Sequence, residues 1–381
     1  MTLEPRHAPV VPSYGTATLA DLSSSILASV DPGSPESQNV LGLPTTQRAC
    51  LLIVDGLGWE LLRAHPAAAP FLSELARNSK PITAGFPATT VTSLGSICTG
   101  RPPGQHGILG YQVIIPGENR LLNGLRWDSR VDPHKWQPLP TLYERATAAG
   151  IAAMHVAQGS FRGTGLTVAT MRGADFRPAD SMGALAAQAA AAITENSRAF
   201  VTVYHGDLDA TGHVFGVASD AWYNHLAHVD KLAEQLAGEL PSGACMYVTA
   251  DHGMVDIGQE DKLDVDALPE LRAGVALLGG EPRARHVYAR PGAAADVLAT
   301  WRDVLGDRAW VLPREEAIKE GWFGPVDDRM VPRIGDVVAA PAGSLALVAM
   351  KAEPRESALF GMHGSLTSSE QLVPALMFGA G

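Results

Sequence analysis

The sequence is poor in cysteine, in basic residues and in long hydrophobic runs. The three cysteines, Cys50, Cys98 and Cys245, are too few and too scattered for a disulfide framework or a structural zinc knuckle, and we interpret them as small core residues. Lys and Arg number 29 against 40 Asp and Glu, and the net charge of −11 argues against a basic surface that binds nucleic acid. No window reaches the roughly 18 apolar residues of a membrane span.

The amino terminus also lacks the apolar segment of a secretory signal, so we expect a cytoplasmic protein. Hydrophobic residues make up 46% of the 381 positions and charged residues 18%, which is ordinary for a globular chain with a large core. A homo-oligomer is compatible with this composition and is not required by it.

Short apolar segments alternate with helical patterns along the chain. The segments typical of buried strands are "CLLIVDG", "IAAMHVAQ", "AFVTVYH" and "ACMYVTADHGM". This alternation predicts an α/β fold with a doubly wound, mostly parallel central sheet flanked by helices. Between residues 258 and 340 the elements become shorter, and we interpret this region as an insert or cap within one domain of residues 1–381.

Carboxylates and histidines follow three of the predicted strands. In chain order these side chains are Asp55, Asp207, Asp209, His213, Asp251 and His252, and a later loop adds His363. Because the carboxyl ends of parallel strands meet at one edge of a sheet, we expect the side chains to converge. Such nitrogen and oxygen donors suit two zinc-type ions, and without metal the clustered carboxylates would repel one another.

Each of these residues also has a purely structural interpretation. A single Asp after a strand is usually a helix N-cap or a turn residue, and we assign Asp207 to a turn or to the surroundings of the metal ligands. His205, His225 and His228 are interpreted as surface residues of a strand and a helix. The prediction of a metal site therefore rests on the other six residues taken together, and not on any single one of them.

A cluster of hydroxyl groups lies in "GFPATTVTSLGSICTGRPPGQHG". Thr89, Thr90, Thr92 and Ser93 stand at the start of a predicted helix that runs to Cys98. The amino terminus of a helix favours anions, and a hydroxyl beside a metal ion can attack phosphorus. N-capping alone explains one of these hydroxyls but not four.

Together these motifs resemble the alkaline phosphatase superfamily, and most closely its type I phosphodiesterase/nucleotide pyrophosphatase branch. The matching segments are "VDGLG", "FPATTVTSLGSICTGRPPGQHGILGY", "DATGHVFG", "ADHGM" and "MHG". The resemblance implies an alkaline-phosphatase-like catalytic domain with Thr90 as nucleophile and a threonyl-phosphate intermediate. It implies one zinc ion held by Asp55, Thr90, Asp251 and His252, and a second held by Asp209, His213 and His363, with other divalent metals as alternatives.

Two positions depart from the nucleotide-cleaving members of that family. Val91 follows the proposed nucleophile where those members carry an aromatic residue that stacks on the base. Tyr111 stands where they carry an asparagine that bonds a phosphate oxygen. We expect both residues to contact the substrate, a small phosphorylated molecule, and their identities put nucleotide specificity in doubt.

The sequence leaves three alternatives to a phosphodiesterase or pyrophosphatase. The same site would suit a phosphomonoesterase or a phosphonate hydrolase, although a monoesterase usually needs more positive charge than Arg101 supplies near the motifs. A catalytically silent binding protein on this fold is the third alternative. It is disfavoured because all seven ligand positions are present.

Overall fold

The computed structural model describes residues 8–33, 38–217 and 219–379. The strands in these ranges are β1 (Arg48–Val54), β2 (Ile82–Thr83), β3 (Gln112–Ile114), β4 (Leu121–Asn123), β5 (Ala152–Ala157), β6 (Asp175–Pro178), β7 (Ala199–His205), β8 (Ala244–Thr249), β9 (Val255–Asp256), β10 (Lys262–Asp264), β11 (Val275–Glu281), β12 (Ala284–Ala289), β13 (Ala309–Pro313), β14 (Val337–Pro341), β15 (Ala346–Val348), β16 (Gly361–Met362), β17 (Leu372–Val373) and β18 (Ala375–Gly379).

The same ranges contain the helices α1 (Leu19–Val30), α2 (Trp59–Ala64), α3 (Pro70–Ala76), α4 (Thr90–Thr99), α5 (Pro103–His106), α6 (Pro133–Trp136), α7 (Leu142–Ala148), α8 (Gly165–Met171), α9 (Met182–Thr194), α10 (Asp207–Phe215), α11 (Asp220–Gly238), α12 (Pro269–Arg272), α13 (Ala294–Leu305), α14 (Arg314–Lys319), α15 (Pro354–Ser357) and α16 (Ser368–Gln371). Across the described residues, no helix combines the length and apolar character needed to cross a bilayer.

The central sheet has six strands in the order β18-β8-β1-β7-β5-β6. Five of them are parallel, and β18 pairs antiparallel with β8 at one edge. All residues of β7 and β8 are buried, as expected for parallel strands that are covered on both faces. The predicted α/β class with a mostly parallel central sheet is confirmed.

Strand β1 lies between β7 and β8, and this position sets the place of the site. Val54 at the end of β1 pairs with His205 at the end of β7. The three strands therefore end at the same edge of the sheet. Asp55 directly follows β1, Asp209 lies in the first turn of α10 after β7, and Asp251 follows β8. The order of the strands thus brings three carboxylates together from distant parts of the chain.

A second sheet of four antiparallel strands has the order β11-β12-β14-β13 and an apolar core of its own around Trp301. A fully buried ion pair joins it to the last part of the chain, with Nη2 of Arg283 2.6 Å from Oε2 of Glu370. Glu370 also accepts a hydrogen bond from the amide of Ser365, two residues after His363. Most of this sheet falls within residues 258–340, and the interpretation of that region as an insert or cap stays a prediction.

His106, which belongs to the "TGRPPGQHG" segment, packs against helix α4. The ring lies directly against the helix, because a Cβ atom on Gly95 would be 2.5 Å from Cε1 of His106. Nδ1 of His106 accepts from the Ile108 amide at 3.1 Å, and Nε2 lies 3.1 Å from Oγ of Ser96. The ring must therefore be neutral, with its proton on Nε2. Burial, aided by the charge of Arg333, lowers the pKa of His106 from 6.5 to about 3.

This histidine is expected to make the protein less stable in acid. Between pH 6.5 and about 3 the unfolded chain takes up a proton at His106 and the folded chain does not. The free energy of unfolding should therefore fall as the pH is lowered, by at most about 1.4 kcal/mol per pH unit from this residue. Urea unfolding at pH 7 and pH 5 should show a smaller pH dependence for His106→Gln than for the wild type.

His134→Gln is the matched control, because the His134 side chain is exposed. It should keep the pH dependence of the wild type. Comparing variants in this way cancels the contribution of metal binding, which also changes with pH. An unaltered pH dependence in His106→Gln would show that the ring takes up its proton in the folded protein over the same pH range as in the unfolded chain.

Candidate metal centre and active site

The structure brings all seven predicted ligand residues to one edge of the central sheet. Six of them form two groups, Asp55 with Asp251 and His252, and Asp209 with His213 and His363, and Thr90 lies beside the first group. Within each group, one donor atom from each residue lies within 4.8 Å of the others. The rings of His252 and His363 are stacked at 3.5 Å between centroids, so the two groups are in direct contact.

Glycines after β1 make room for this arrangement. Gly56 has φ +75°, a conformation that favours glycine, and a Cβ atom there would lie 3.1 Å from Cβ of Asp209. Its amide donates a hydrogen bond to Oδ1 of Asp251 at 3.1 Å. Gly58 has the same function one turn later, because a Cβ atom there would lie 2.8 Å from Cα of Gly253. The segment "VDGLG" therefore lets three chain segments approach one another.

Backbone carbonyls orient the three histidines. Nδ1 of His213 lies 2.7 Å from the carbonyl oxygen of Gly361, Nδ1 of His252 lies 2.9 Å from that of Gly253, and Nδ1 of His363 lies 2.9 Å from that of Ala88. An Nδ1–H that donates to a carbonyl fixes the tautomer and leaves the Nε2 lone pair for a metal ion. The three rings share the arrangement expected of metal-ligating histidines.

Burial and mutual repulsion dominate the electrostatics of the carboxylates. Desolvation, followed by the charges of Asp251 and Asp209, raises the pKa of Asp55 well above its usual value. Burial acts against the charged form of Asp209 as well, but nearby His213 outweighs it and lowers the pKa of that carboxyl. The same pair raises the pKa of His213 to about 9, although burial alone would lower it.

Three carboxylate oxygens show that a cation fits this site. Oδ1 of Asp55, Oδ1 of Asp209 and Oδ2 of Asp251 are buried and accept no hydrogen bond from the described residues. Buried polar atoms in native proteins almost always have partners, and an unpaired buried carboxylate is costly. The orphaned oxygens belong to both groups of ligands. The donor set of oxygens and imidazole nitrogens thus fits two divalent metal ions.

The four hydroxyl groups at the start of α4 have different surroundings in the structure. Thr90 is the one that is not buried, and its Oγ1 lies 3.3 Å from Nε2 of His252. The hydroxyl of Thr89 donates to Oε2 of Glu281 at 3.1 Å, and that of Ser93 donates to the carbonyl oxygen of Asp251 at 2.6 Å. Oγ1 of Thr92 is buried with no hydrogen-bond partner in the described residues. Of the four, Thr90 alone is partly exposed, and its hydroxyl lies beside a predicted ligand.

A cavity of about 200 Å³ opens in front of Thr90. Its walls include both residues that the sequence assigns to substrate contact, Val91 and Tyr111. Val91 is fully buried, because it packs beneath Gly124, whose Cβ atom would lie 2.8 Å from Cγ1 of Val91. The Tyr111 hydroxyl donates to Oε1 of Glu356 at 3.1 Å. Val91 therefore offers no free face and the Tyr111 hydroxyl already has an acceptor, and the role of both residues toward a substrate stays a prediction.

A second cavity of about 190 Å³ lies on the other side of Thr90. It shares Thr90 and Leu125 with the first cavity and is otherwise mostly apolar, with Phe161, Leu166 and Met171 in its walls. Phe161 lies at the rim, 36% exposed, with its ring edge-to-face against Tyr204. Thr90 therefore borders two cavities, one whose walls include several titratable side chains and one whose described wall residues include none that is charged.

Sequence reasoning missed two side chains that contact the ligands. The Tyr204 hydroxyl donates to Oδ2 of Asp55, from within a strand whose residues are all buried. Glu281 comes from the second sheet, and its Oε2 lies 3.9 Å from Nδ1 of His363. Burial raises the pKa of Glu281 to about 8. No local pattern marks either residue, since Tyr204 looks like any strand residue and Glu281 depends on how the two sheets pack.

The interpretation of His205 as a surface residue is wrong. The side chain is only 6% exposed, because helix α11 covers it and places His225 against it, Nε2 to Nε2 at 2.8 Å. Burial, together with the neighbouring His225, lowers the pKa of His205 to about 4. Asp207 has an exposed side chain and lies beside these two histidines, outside the two groups of predicted ligands.

Comparison with known proteins identifies the family and the fold of the chain. The family model described as type I phosphodiesterase/nucleotide pyrophosphatase matches residues 49–366. No protein with a curated function matches the sequence.

Among solved structures, the fold is similar to that of human ectonucleotide pyrophosphatase/phosphodiesterase 5, with a TM-score of 0.68, 17% identity, and coverage of 87% of this chain and 88% of that one. The murine protein of the same name also gives a TM-score of 0.68 and 17% identity, with coverage of 88% of each chain. Its inactive variant, in which a threonine is replaced by alanine, was solved in complex with AMP and gives the same score and identity over 87% and 88% of the two chains. At this level of identity the likeness demonstrates a shared fold.

Proposed function

The chain belongs to the type I phosphodiesterase/nucleotide pyrophosphatase family, whose members hydrolyse phosphoester and pyrophosphate bonds, and from this premise we propose that it is a metal-dependent phosphodiesterase with Thr90 as nucleophile. The observation that carries the proposal is the position of Thr90. Its hydroxyl is partly exposed at the first residue of a ten-residue helix and lies beside two groups of Asp and His ligands. The inactive variant of the murine protein likewise carries alanine in place of a threonine.

The two groups support the division of the ligands that the family resemblance implies. Asp55, Asp251 and His252, with Thr90, would hold one ion, and Asp209, His213 and His363 would hold the other. We propose zinc for both positions, since the donors are imidazole nitrogens, carboxylates and a hydroxyl. Bound there, such ions supply Lewis-acid activation of the hydroxyl and neutralisation of charge on the departing oxygen.

The chain itself positions the reacting groups. Oγ1 of Thr90 loses its proton to water and attacks phosphorus, and the bond from phosphorus to one alcohol breaks, so that this alcohol leaves with a proton taken from water. The threonyl-phosphate that forms still carries the second ester group, and water hydrolyses it to release a phosphate monoester and restore the Thr90 hydroxyl. The amino terminus of α4 directs its unpaired amides and partial positive charge at the phosphoryl oxygens. The Tyr204 hydrogen bond and the Gly56 amide keep Asp55 and Asp251 oriented during these steps.

The charge around the cavity supports a diester as substrate. None of the described residues that line the cavity in front of Thr90 is Lys or Arg, and its walls include Glu281 and Glu356. A phosphate diester carries one negative charge, whereas a monoester carries nearly two at neutral pH and needs more positive charge to bind. The apolar cavity on the other side of Thr90 suits the second ester group. A diester with one bulky apolar or aromatic group therefore fits the site best.

Hydrolysis rates of four substrates test this proposal. We expect kcat/KM for bis-p-nitrophenyl phosphate to exceed that for p-nitrophenyl phosphate by at least about tenfold, which corresponds to about 1.4 kcal/mol of transition-state stabilisation. A nucleotide p-nitrophenyl ester measures the effect of Val91 and Tyr111, and phosphonoacetate measures phosphonate cleavage. Phe161→Ala should lower kcat/KM for the aromatic diester and leave the weaker monoester reaction unchanged.

A reversed substrate preference would leave the proposed site residues unchanged and would change the proposed function. Faster turnover of p-nitrophenyl phosphate would make the protein a monoesterase, and faster turnover of phosphonoacetate would make it a phosphonate hydrolase. Complete inactivity of the zinc-loaded protein toward all four substrates would favour a binding protein on this fold.

A further inference from the structure

A second cluster of metal-ligand side chains lies on the connection between β7 and α10, apart from the two groups described above. His205 is the last residue of β7, and Asp207 is the first residue of α10. His225 reaches the same point from α11. The three residues share no member with the paired groups, although α10 also carries Asp209 and His213.

The donor atoms of this cluster lie around one point, and the two imidazole nitrogens would have to separate by only about 0.5 Å to bind one zinc ion at Zn–N distances of about 2.0–2.1 Å. Nε2 of His205 lies 2.8 Å from Nε2 of His225, and a carboxylate oxygen of Asp207 completes a set whose members are all within 4.8 Å of one another. Gln158 donates a hydrogen bond to Oδ1 of Asp207 at 3.2 Å and holds the carboxylate at the edge of the cluster. Three elements of the fold thus direct donors to one point.

A hydrogen bond between two neutral imidazoles would explain only part of this arrangement. The rings are nearly coplanar, with an interplanar angle of 9°, as a direct N–H···N bond would require. Such a bond does not account for the position of the Asp207 carboxylate, which lies within reach of both rings and is held there by the hydrogen bond from Gln158. Two imidazoles and one carboxylate are, by contrast, a common ligand set of zinc in sites that keep one position open.

From this geometry we propose that His205, Asp207 and His225 form a third metal site that binds a single zinc-class divalent ion. The exposure of Asp207 and the half-buried position of His225 leave the fourth coordination position to water. The ion would tie β7 to the start of α10 and to α11. Because α10 carries Asp209 and His213, the third site would hold the helix that supplies two ligands of the paired centre.

The test is the number of zinc ions bound by the intact protein after equilibration with buffered zinc, measured by inductively coupled plasma mass spectrometry. His225→Asn is expected to bind one ion fewer than the wild type. Asp207→Asn keeps both histidines and should bind the third ion at least about 100-fold more weakly, beyond the effect of losing an outer-shell partner. X-ray anomalous scattering at the zinc edge should place a peak between the two Nε2 atoms in the wild type and none in His225→Asn.

His228→Asn is the matched control for zinc adsorbed on surface histidines. His228 is exposed one turn further along α11, its ring is 6.2 Å from that of His225, and it does not belong to the cluster. This variant should bind as many ions as the wild type. Circular dichroism checks folding, and the exposed Asp207 gives a second variant if His225→Asn does not fold.

The third site is independent of the proposed function. Asp209→Asn removes a ligand of the paired centre and should leave the anomalous peak between His205 and His225 in place. If the paired centre held no metal at all, His225→Asn should still lower the zinc count by one. Equal zinc counts in the wild type, His225→Asn and Asp207→Asn, with no peak between the rings, would overturn the proposal and leave an imidazole–imidazole hydrogen bond.

Discussion

Replacement of Thr90 by alanine is expected to lower the turnover of a phosphate diester by about 10⁴-fold or more, as the loss of a catalytic nucleophile does in other enzymes. Thr90 is the first residue of α4 and is not an N-cap, so the helix should survive the change. The bound zinc should be retained, because six other ligands remain. Steady-state rates and zinc content of the same preparation measure both expectations.

Thr92→Val is the matched control for Thr90→Ala. It removes a hydroxyl two residues further along the same helix, and that hydroxyl is buried without a hydrogen-bond partner in the described residues. The variant should keep full activity and should be as stable as the wild type or slightly more stable, since an unpaired buried hydroxyl is unfavourable. Full activity in Thr90→Ala would disprove Thr90 as the nucleophile and would direct the search to water as the attacking group.

Removal of metal is expected to abolish turnover and to destabilise the fold. Without cations the orphaned oxygens of Asp55, Asp209 and Asp251 stay buried beside one another. A metal ion that binds only the folded state stabilises it. At a free concentration 1,000 times its dissociation constant, the ion adds about 4 kcal/mol to the free energy of unfolding for each site. Thermal unfolding with and without chelator, followed by the return of zinc, measures the loss and its recovery.

Asp251→Asn should change the stability of the protein in opposite directions with and without metal. Oδ1 of Asp251 accepts from the amides of Gly56 and His252, and an amide oxygen can keep both bonds. The other oxygen is the orphaned one, and replacing it by an amide nitrogen removes a buried charge from the neighbourhood of Asp55. We expect the variant to be more stable than the wild type in chelator and less stable in zinc. Destabilisation of equal size in both conditions would mean that Asp251 has a structural function only.

The sequence predicted the fold class and the convergence of the site because both depend on simple periodicities. Buried apolar runs followed by Asp predict parallel strands, and the carboxyl ends of such strands meet at one edge. Asp55, Asp209 and Asp251 came together for this reason. The chemistry assigned to these residues, including the nucleophile and the zinc ions, stays a proposal until the variants are measured.

The residues that the sequence did not predict depend on packing between elements. In a strand that is buried on both faces, periodicity does not tell which side chains point toward the site, and this applies to Tyr204 and His205 alike. Glu281 arrives from a sheet that begins about 20 residues beyond the last strand-end ligand, and only the packing of the two sheets determines its place. The burial of Val91 likewise depends on the hairpin of β3 and β4, because Gly124, which packs against Val91, directly follows β4.

The metal ligands and part of the cavity wall come from different segments of the chain. This affects how substitutions can alter the choice of substrate. Five of the ligands follow central strands directly or lie in α10 after β7, and Thr90 begins α4 and His363 lies in a later loop. The cavity walls, by contrast, include residues from segments outside that sheet, namely Glu281, Pro282, Glu356 and Leu359. A mutant library confined to these four wall positions would therefore diversify substrate choice while every clone inherits an intact set of metal ligands. Selection on such a library could exchange one leaving group for another without rebuilding the chemistry from the beginning.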